Sequence, residues 1–273
     1  MRHSWVDGEV ATVIPLDDRG LNYADGAFET LLCRNGHITC VALHQERLIR
    51  ALTALRFEAP RLQAEKIFEQ VGRCLLQVKH TGPARLTVTR GSGPRGYAPP
   101  AEGLPRVILT ASAPINDQQV AWRCGIASTQ WQDQPQLAGL KLLARTEQVL
   151  AAGEAAAQGW DDVLMLDHQG NVISSSRGNV FLIDDRTALT PPLDRSGIAG
   201  TRRQLLIESV LPRLGYEVRL RPVSVDDFMA AECVMISNTV VGVVAVAAIE
   251  QHAYPEHGSA FQAIKEALSE LIK

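Results

Sequence analysis

The order of apolar and polar positions predicts a strand-rich start to the chain. Residues 4–16 are strand-like, with a turn at Asp7-Gly8. Residues 28–33 and 37–41 form a second pair of predicted strands, and the Arg34-Asn35-Gly36 link between them contains Asn-Gly, a strong hairpin signal. Two further strands are predicted at 85–90 and 106–111, and a long glycine- and proline-rich loop at 91–105 connects them.

Further along the chain, apolar residues recur about every 3.6 positions, which predicts helices. Leu48, Leu52 and Leu55 share one face of a helix that runs from His44 to near Phe57. A second helix, at 64–79, gathers its apolar residues on one face. Further helices are predicted at 141–158, 200–215 and 258–273.

The remaining chain alternates strands and helices without the strict repeat of a (β/α)₈ barrel. The sequence therefore predicts a mixed α/β (α+β) fold. A polar, proline-containing stretch predicts an interdomain linker at 113–119, between an N-terminal α/β domain at 1–112 and a C-terminal α/β domain at 120–273. The strands predicted after the linker lie at 122–128, 162–167, 172–173, 180–183, 216–222, 233–236 and 240–249.

Composition excludes several classes of protein. Of 273 residues, 46% are hydrophobic, which is enough for a core and excludes wholesale disorder. The 27 basic and 30 acidic residues nearly balance, so the charge does not favour nucleic-acid binding. The five cysteines form no C-x-x-C pair and are expected as free thiols, and the dispersed histidines predict no metal site. With no signal peptide and no apolar run long enough for a membrane span, we expect a soluble cytoplasmic protein.

Lys141 is the first candidate for chemistry. The chain has only five lysines against 22 arginines, and Lys141 lies in Leu140-Lys141-Leu142-Leu143. Apolar surroundings favour the neutral, nucleophilic amine that a Schiff-base lysine needs. On spacing alone, a lysine that extends from a helix edge is the favoured explanation.

Three further segments are candidate anion-binding sites. The loop at 91–97 carries Arg95 and Tyr97, which could recognise a carboxylate, although a flexible loop with a surface arginine fits too. The segment 197–203 leads into a helix whose amides suit an anion, or it is an ordinary helix cap. Residues 237–239 follow a buried strand and offer hydroxyls to a phosphate, or they form an ordinary turn.

Taken together, these segments resemble the fold-type IV pyridoxal 5'-phosphate (PLP) enzymes. Residues 18–30, DRGLNYADGAFET, are similar to that family's D-R-(x)₃-[FY]-x-D-G-x-F motif, and His44-x-x-Arg47-Leu48 is similar to its H-x-x-R-L helix. Asn179-Val180-Phe181 resembles its N-[LIV]-F strand. The resemblance covers nearly the whole chain and implies a two-domain fold-type IV architecture.

Two loops resemble one branch of the family, the aminodeoxychorismate lyases. They are RGSGPRGY at 90–97 and the lysine segment at 139–150, which includes Glu-Gln-Val-Leu. The branch converts 4-amino-4-deoxychorismate to 4-aminobenzoate and pyruvate, in folate biosynthesis. The alternatives are a fold-type IV aminotransferase acting on D- or branched-chain amino acids, and a non-catalytic protein that has kept the cofactor pocket.

The resemblance implies a role for each candidate residue. Lys141 is expected to bind PLP and to transfer protons, and the chain is expected to form a homodimer. Arg47, Thr201, Arg202, Asn238 and Thr239 are expected to bind the phosphate, and Arg95, Tyr97 and Thr30 the substrate.

Ser174 departs from the family pattern. Counted back from Asn179, it stands where these enzymes place a glutamate against the pyridine nitrogen, and its neighbours Ser175 and Ser176 supply no acid. A serine hydroxyl holds the proton on that nitrogen less firmly than a carboxylate does. We hypothesise that a lyase tolerates the change because its aromatic product supplies driving force. The missing acid argues against the aminotransferase.

Overall fold

The structure, a computed structural model, describes residues 3–100, 103–114, 121–255 and 258–272. It divides into two compact units: unit 1 is Met1–Asn116 with Leu140–Ala144, and unit 2 is Asp117–Gly139 with Arg145–Lys273. Most of the predicted linker, 113–119, lies outside the described residues, so its bounds stay a prediction.

Unit 1 is an antiparallel sheet with two long helices. The described strands form one sheet in the order β2-β1-β6-β5-β3-β4. Its elements are β1 His3–Val6, β2 Glu9–Val10, α1 Arg19–Tyr23, β3 Gly26–Arg34, β4 His37–Ile38, α2 Val41–Ala54, α3 Pro60–Gln77, β5 Gly82–Thr89 and β6 Arg106–Ala111.

Alternation along β3 builds the core of unit 1. Ala27, Leu31 and Cys33 are buried, and they belong to the same apolar cluster as Leu48 and Leu52 of α2. The predicted hairpin between β3 and β4 is confirmed. Its Asn35-Gly36 has φ of 49° and 86°, the conformation that an Asn-Gly turn provides most easily.

Unit 2 is built on a larger, mixed sheet. Its described strands follow the order β12-β11-β10-β13-β14-β7-β8-β9, and β15 pairs with β14. Its strands are β7 Ala121–Ile126, β8 Asp162–Leu166, β9 Val172–Ser175, β10 Asn179–Asp184, β11 Thr187–Thr190, β12 Glu217–Leu220, β13 Cys233–Asn238, β14 Gly242–Ile249 and β15 His252–Ala253. Its helices are α4 Thr146–Gln158, α5 Thr201–Leu205, which continues through a π-helical turn into α6 Leu211–Arg213, α7 Val225–Ala230 and α8 Ser259–Leu271.

Apolar strands give unit 2 its core, because β10, β13 and β14 are buried on both faces. Phe181, Met235 and Val246 are among the residues that these strands remove from solvent. The predicted mixed α/β class is therefore confirmed. No helix within the described ranges is long and apolar enough to cross a membrane.

The segment around Lys141 differs from the prediction in two respects. The helix predicted from residue 141 begins at Thr146, so the expectation of a helical Lys141 is wrong. The segment Leu140–Ala144 was expected in the C-terminal domain, but the structure groups it with unit 1. Both differences have one cause: backbone pairing with β3 outweighs the helix propensity of the nearby alanines.

Candidate active site

Strand β3 fixes the backbone of Lys141. Ala27 and Leu142 form an antiparallel bridge. The Phe28 amide donates to the Lys141 carbonyl at 2.9 Å, and the Leu143 amide donates to the Gly26 carbonyl at 3.1 Å. These contacts hold the backbone of Lys141 against the first residues of β3.

The amine of Lys141 lies over an aromatic ring. Its Nζ is 4.3 Å from the centroid of Phe28, and the Arg85 guanidinium carbon is 3.9 Å from the same centroid. Leu140 and Leu142, which flank Lys141, are buried. Lys141 is thus partly buried, lies over an aromatic ring and is not part of a helix, so the interpretation of it as a lysine on a helix edge is wrong.

Arg47 belongs to a buried charged cluster with Glu29 and His44. Its Nε donates to Glu29 Oε1 at 2.8 Å and its second nitrogen donates to Glu29 Oε2. His44 Nδ1 lies 2.6 Å from the same Oε2. All three side chains are buried, so Arg47 does not lie on a solvated helix face.

The electrostatics of this cluster favour an ionised Glu29. Burial alone would raise the pKa of Glu29. The charge of Arg47 and hydrogen bonds from Arg47 and His44 more than compensate, so the pKa falls to about 2 from the ordinary 4.5. Glu29 thereby holds the guanidinium of Arg47 in a fixed, charge-paired orientation.

In unit 2, the structure brings together several residues predicted to bind phosphate. The hydroxyls of Thr201 and Thr239 are 3.3 Å apart, and Arg202 donates to the Thr239 carbonyl at 3.5 Å. No side-chain cap occupies the start of α5 within the described part of the chain. Ser237, at the end of β13, has a buried hydroxyl without a hydrogen-bond partner among the described residues.

Asn238 and Asn179 shape the turns around this cluster. The Asn238 side-chain oxygen accepts hydrogen bonds from the amides of Val240 and Val241, at 2.9 and 3.0 Å, and so closes the turn after β13. Asn179 donates to the Ile198 carbonyl at 2.8 Å. A Cβ at Gly200 would lie 2.1 Å from the Asn179 oxygen, which explains the glycine there. The side chains of both asparagines therefore form hydrogen bonds with backbone groups and fix the turns.

Ser174 is paired with an indole. Trp131 Nε1 donates to Ser174 Oγ at 2.9 Å, and Ser174 Oγ donates to the Ser175 carbonyl at 2.8 Å. The Arg145 guanidinium lies 5.6 Å from the Trp131 ring. Burial lowers the pKa of Arg145 to about 10, which Glu147 partly opposes. This environment is polar but offers Ser174 no carboxylate among its hydrogen-bond partners in the described ranges.

The predicted substrate residues occupy two places in unit 1. Arg95 and Tyr97 are exposed in the loop between β5 and β6, and Tyr97 is 89% exposed. Thr30 is half-buried in β3, directly opposite Arg85 of β5 and on the same face as Phe28.

Sequence reasoning missed three residues of these groups. Glu29 lies within the motif at 18–30, but its pairing with Arg47 joins β3 to α2 across 18 positions and could not be predicted from the motif. Phe28 lies beside Lys141 only because the segment pairs with β3. Trp131 offered no motif, although a tryptophan in a polar loop usually needs a partner for its N–H.

The comparisons agree with the architecture. The model of the family described as Amino-transferase class IV matches residues 26–249. The aminodeoxychorismate lyase of Vibrio harveyi is 32% identical over 90% of this chain and 90% of its own length. A putative branched-chain-amino-acid aminotransferase of Methanocaldococcus jannaschii is 26% identical over 85% of this chain and 81% of its own.

A solved structure extends the likeness to almost every residue. The crystal structure of 4-amino-4-deoxychorismate lyase from Pseudomonas aeruginosa superposes with a TM-score of 0.90 and 35% identity, and covers 98% of each chain. The predicted fold-type IV architecture is thereby confirmed. The chain belongs to the class IV aminotransferase family.

Proposed function

We propose that this protein is a PLP-dependent lyase that converts 4-amino-4-deoxychorismate to 4-aminobenzoate and pyruvate. The observation that carries the proposal is the 32–35% identity to two aminodeoxychorismate lyases over at least 90% of the chain. The reaction would place the enzyme in folate biosynthesis.

The residues present fit the proposed cofactor. Two neighbouring threonine hydroxyls, the start of α5 and the unsatisfied Ser237 hydroxyl supply the donors that a phosphate ester needs. Lys141 would hold PLP through its side-chain amine. We assign Arg47 and Asn238 to the phosphate as well, Arg47 by its charge and Asn238 by shaping the turn. Bound PLP withdraws electrons from the carbon that bears the substrate amine.

Lys141 then carries the proton transfers. Its amine would remove the proton from the carbon bearing the substrate's amine, and the ring would lose its enolpyruvyl group as pyruvate. The same amine returns a proton to the departing group. One base can serve both steps because β3 fixes its backbone at one place. Arg95, Tyr97 and Thr30 would bind the substrate, and Ser174 would face the ring nitrogen.

The test uses purified protein loaded with PLP. We expect fluorescent 4-aminobenzoate from 4-amino-4-deoxychorismate with the native protein and with Lys66→Ala, a control at an exposed lysine. Lys141→Ala should lose at least about a thousandfold in rate, because it removes the base and the attachment point. A PLP-coloured native protein that forms no 4-aminobenzoate would contradict the lyase.

A fold-type IV aminotransferase acting on D- or branched-chain amino acids is the second candidate. The 26% identity to a putative branched-chain-amino-acid aminotransferase favours it. A panel of D- and L-amino acids with a keto-acid acceptor distinguishes the two, since a lyase needs no acceptor.

We also propose that the protein is a cytoplasmic homodimer, because members of the family that its motifs resemble are homodimers. The molar mass in solution, measured by light scattering after gel filtration, should be about twice the 29.7 kDa of the chain. A mass of one chain at micromolar concentration would contradict the dimer.

A further inference from the structure

A buried arginine holds the loop that carries Arg95 and Tyr97. Arg19 is only 1% exposed, although it belongs to the short helix α1 near the surface loop. Its guanidinium donates to three backbone carbonyls of that loop: Gly96 at 2.9 Å, Tyr97 at 2.8 Å and Pro94 at 3.4 Å. Arg19 thus gathers the backbone on both sides of Arg95.

Other residues of the motif at 18–30 orient Arg19. The Nε of Arg19 donates to Asp25 Oδ2 at 2.9 Å, and Arg90 donates to that oxygen at 2.8 Å. The guanidinium also lies 4.8 Å from the ring centroid of Tyr23, whose hydroxyl accepts a hydrogen bond from the Gly96 amide at 3.0 Å. Asp25 and Tyr23 therefore fix both Arg19 and the loop.

The planar guanidinium explains why this position needs an arginine. Only a planar fork directs several N–H groups at separate carbonyls at once, whereas an ammonium is a point charge. Gly93 also allows the loop to pass close to the arginine stem, because a Cβ there would lie 2.8 Å from Arg19 Cδ. A lysine would keep the charge beside Asp25 and lose most of the hold on the loop.

The result is a fixed backbone with outward side chains. The carbonyls of residues 94, 96 and 97 point to Arg19, while the side chains of Arg95 and Tyr97 are exposed. A backbone held in this way loses little conformational entropy when a ligand arrives, so only the two side chains remain to be ordered.

We propose that Arg19 is a positioning residue for substrate recognition, which fixes residues 94–97 so that Arg95 and Tyr97 can bind the carboxylates of the substrate. The inference rests on the proposed function for the identity of that substrate. The contacts by which Arg19 holds the loop do not depend on the proposed function.

Two readouts test the inference in PLP-loaded Arg19→Lys. The first is the rate of tryptic cleavage at Arg95–Gly96 without substrate, followed by mass spectrometry, since a loosened exposed loop is nicked faster. The second is the division between KM and kcat with 4-amino-4-deoxychorismate. Arg73→Lys is the control, because Arg73 lies exposed on α3 with one ion pair to Glu69. Tyr23→Phe loosens the loop without touching the buried charges.

We expect Arg19→Lys to be cleaved at least about fivefold faster and to raise KM about tenfold, because charged hydrogen bonds that pre-organise the binding groups are lost. Its kcat should stay within about twofold, since the loop binds ground state and transition state alike. Tyr23→Phe should move both readouts less, and Arg73→Lys neither.

Two outcomes would overturn the inference. Unchanged cleavage in both Arg19→Lys and Tyr23→Phe would show that the loop does not depend on these contacts. Faster cleavage with unchanged KM would show that the loop does not recognise the substrate, while the lyase function would stand. A native protein that makes no 4-aminobenzoate would instead contradict the proposed function, and the cleavage assay would still measure the hold of Arg19.

Discussion

At the scale of single residues, Ser174 stands where the family resemblance predicts a glutamate. Its hydroxyl donates to the Ser175 carbonyl and accepts from Trp131. The oxygen of Ser174 therefore has one lone pair left with which to accept a further hydrogen bond. By our proposal the partner in that bond is the ring nitrogen of PLP. A hydroxyl used in this way cannot hold a proton on the nitrogen as a carboxylate would.

Ser174→Glu tests this reading. We expect the carboxylate to favour the protonated ring nitrogen, to raise the side rate of transamination relative to the lyase rate, and to shift the pH dependence of the bound cofactor's absorbance. Ser174→Gln is the matched control, since it has the same size and no charge. The idea fails if neither rate changes between the glutamate and glutamine variants.

Individual residues were predictable from sequence where a local signal existed. Lys141 could be selected because only five lysines occur and this one has apolar neighbours. Trp131 and Glu29 could not be assigned, because the contacts that define them join segments 43 and 18 positions apart. Such pairings depend on the tertiary fold and leave no trace in local spacing.

At the scale of elements, α7 shows what a cap contributes. Ser224 accepts from the Asp227 amide, and the Asp227 carboxylate accepts from the Ser224 amide at 2.8 Å, so both partners of a capping box are present. Hydrogen bonding to Arg221 and Ser224 lowers the pKa of Asp227, against the opposing effect of burial. The helix therefore starts at a well-defined residue.

Ser224→Ala should destabilise the protein by about 1 kcal/mol, because the alanine leaves a first-turn amide without its acceptor. Urea unfolding followed by circular dichroism measures the change. Ser269→Ala on α8 is the control, and it should cost less than about 0.5 kcal/mol because that exposed hydroxyl only bonds its own helix. Equal effects from the two variants would contradict the role of the cap.

Element prediction succeeded where periodicity and turn chemistry agreed. The β3–β4 hairpin and β6 follow directly from alternation, Asn-Gly and β-branched residues. The elements that the sequence prediction missed include α1, β11 and α7, each six residues or shorter. The Ser224-x-x-Asp227 spacing was a usable signal for α7, whereas β11 gains its pairing only from β10 and β12.

At the scale of the whole molecule, Glu29 makes one contribution to the pH dependence of stability. Its pKa is lower in the folded state than the ordinary 4.5, so ionised Glu29 stabilises the folded state fully above about pH 4.5. This contribution is lost as the pH falls from 4.5 through about 2.

Glu29→Gln should therefore lower the free energy of unfolding by about 3 kcal/mol or more at pH 7, because Arg47 loses the buried carboxylate that pairs with it. The difference from the native protein should shrink at pH 3. Guanidinium unfolding at pH 7, 4.5 and 3 measures it, and Glu65→Gln on the exposed face of α3 is the control. A deficit that stays constant over this range would contradict the assignment.

The pairing of Leu140–Ala144 with β3 has a consequence for how the chain can vary. Because main-chain bonds at Gly26 and Phe28 place Lys141, neighbouring side chains can be exchanged while the amine stays where it is. The length of the segment cannot change so freely, since an added or removed residue would shift the register of the Ala27–Leu142 bridge and turn Lys141 to another face. Insertions and deletions between Gly139 and Thr146 should therefore be far less tolerated than substitutions.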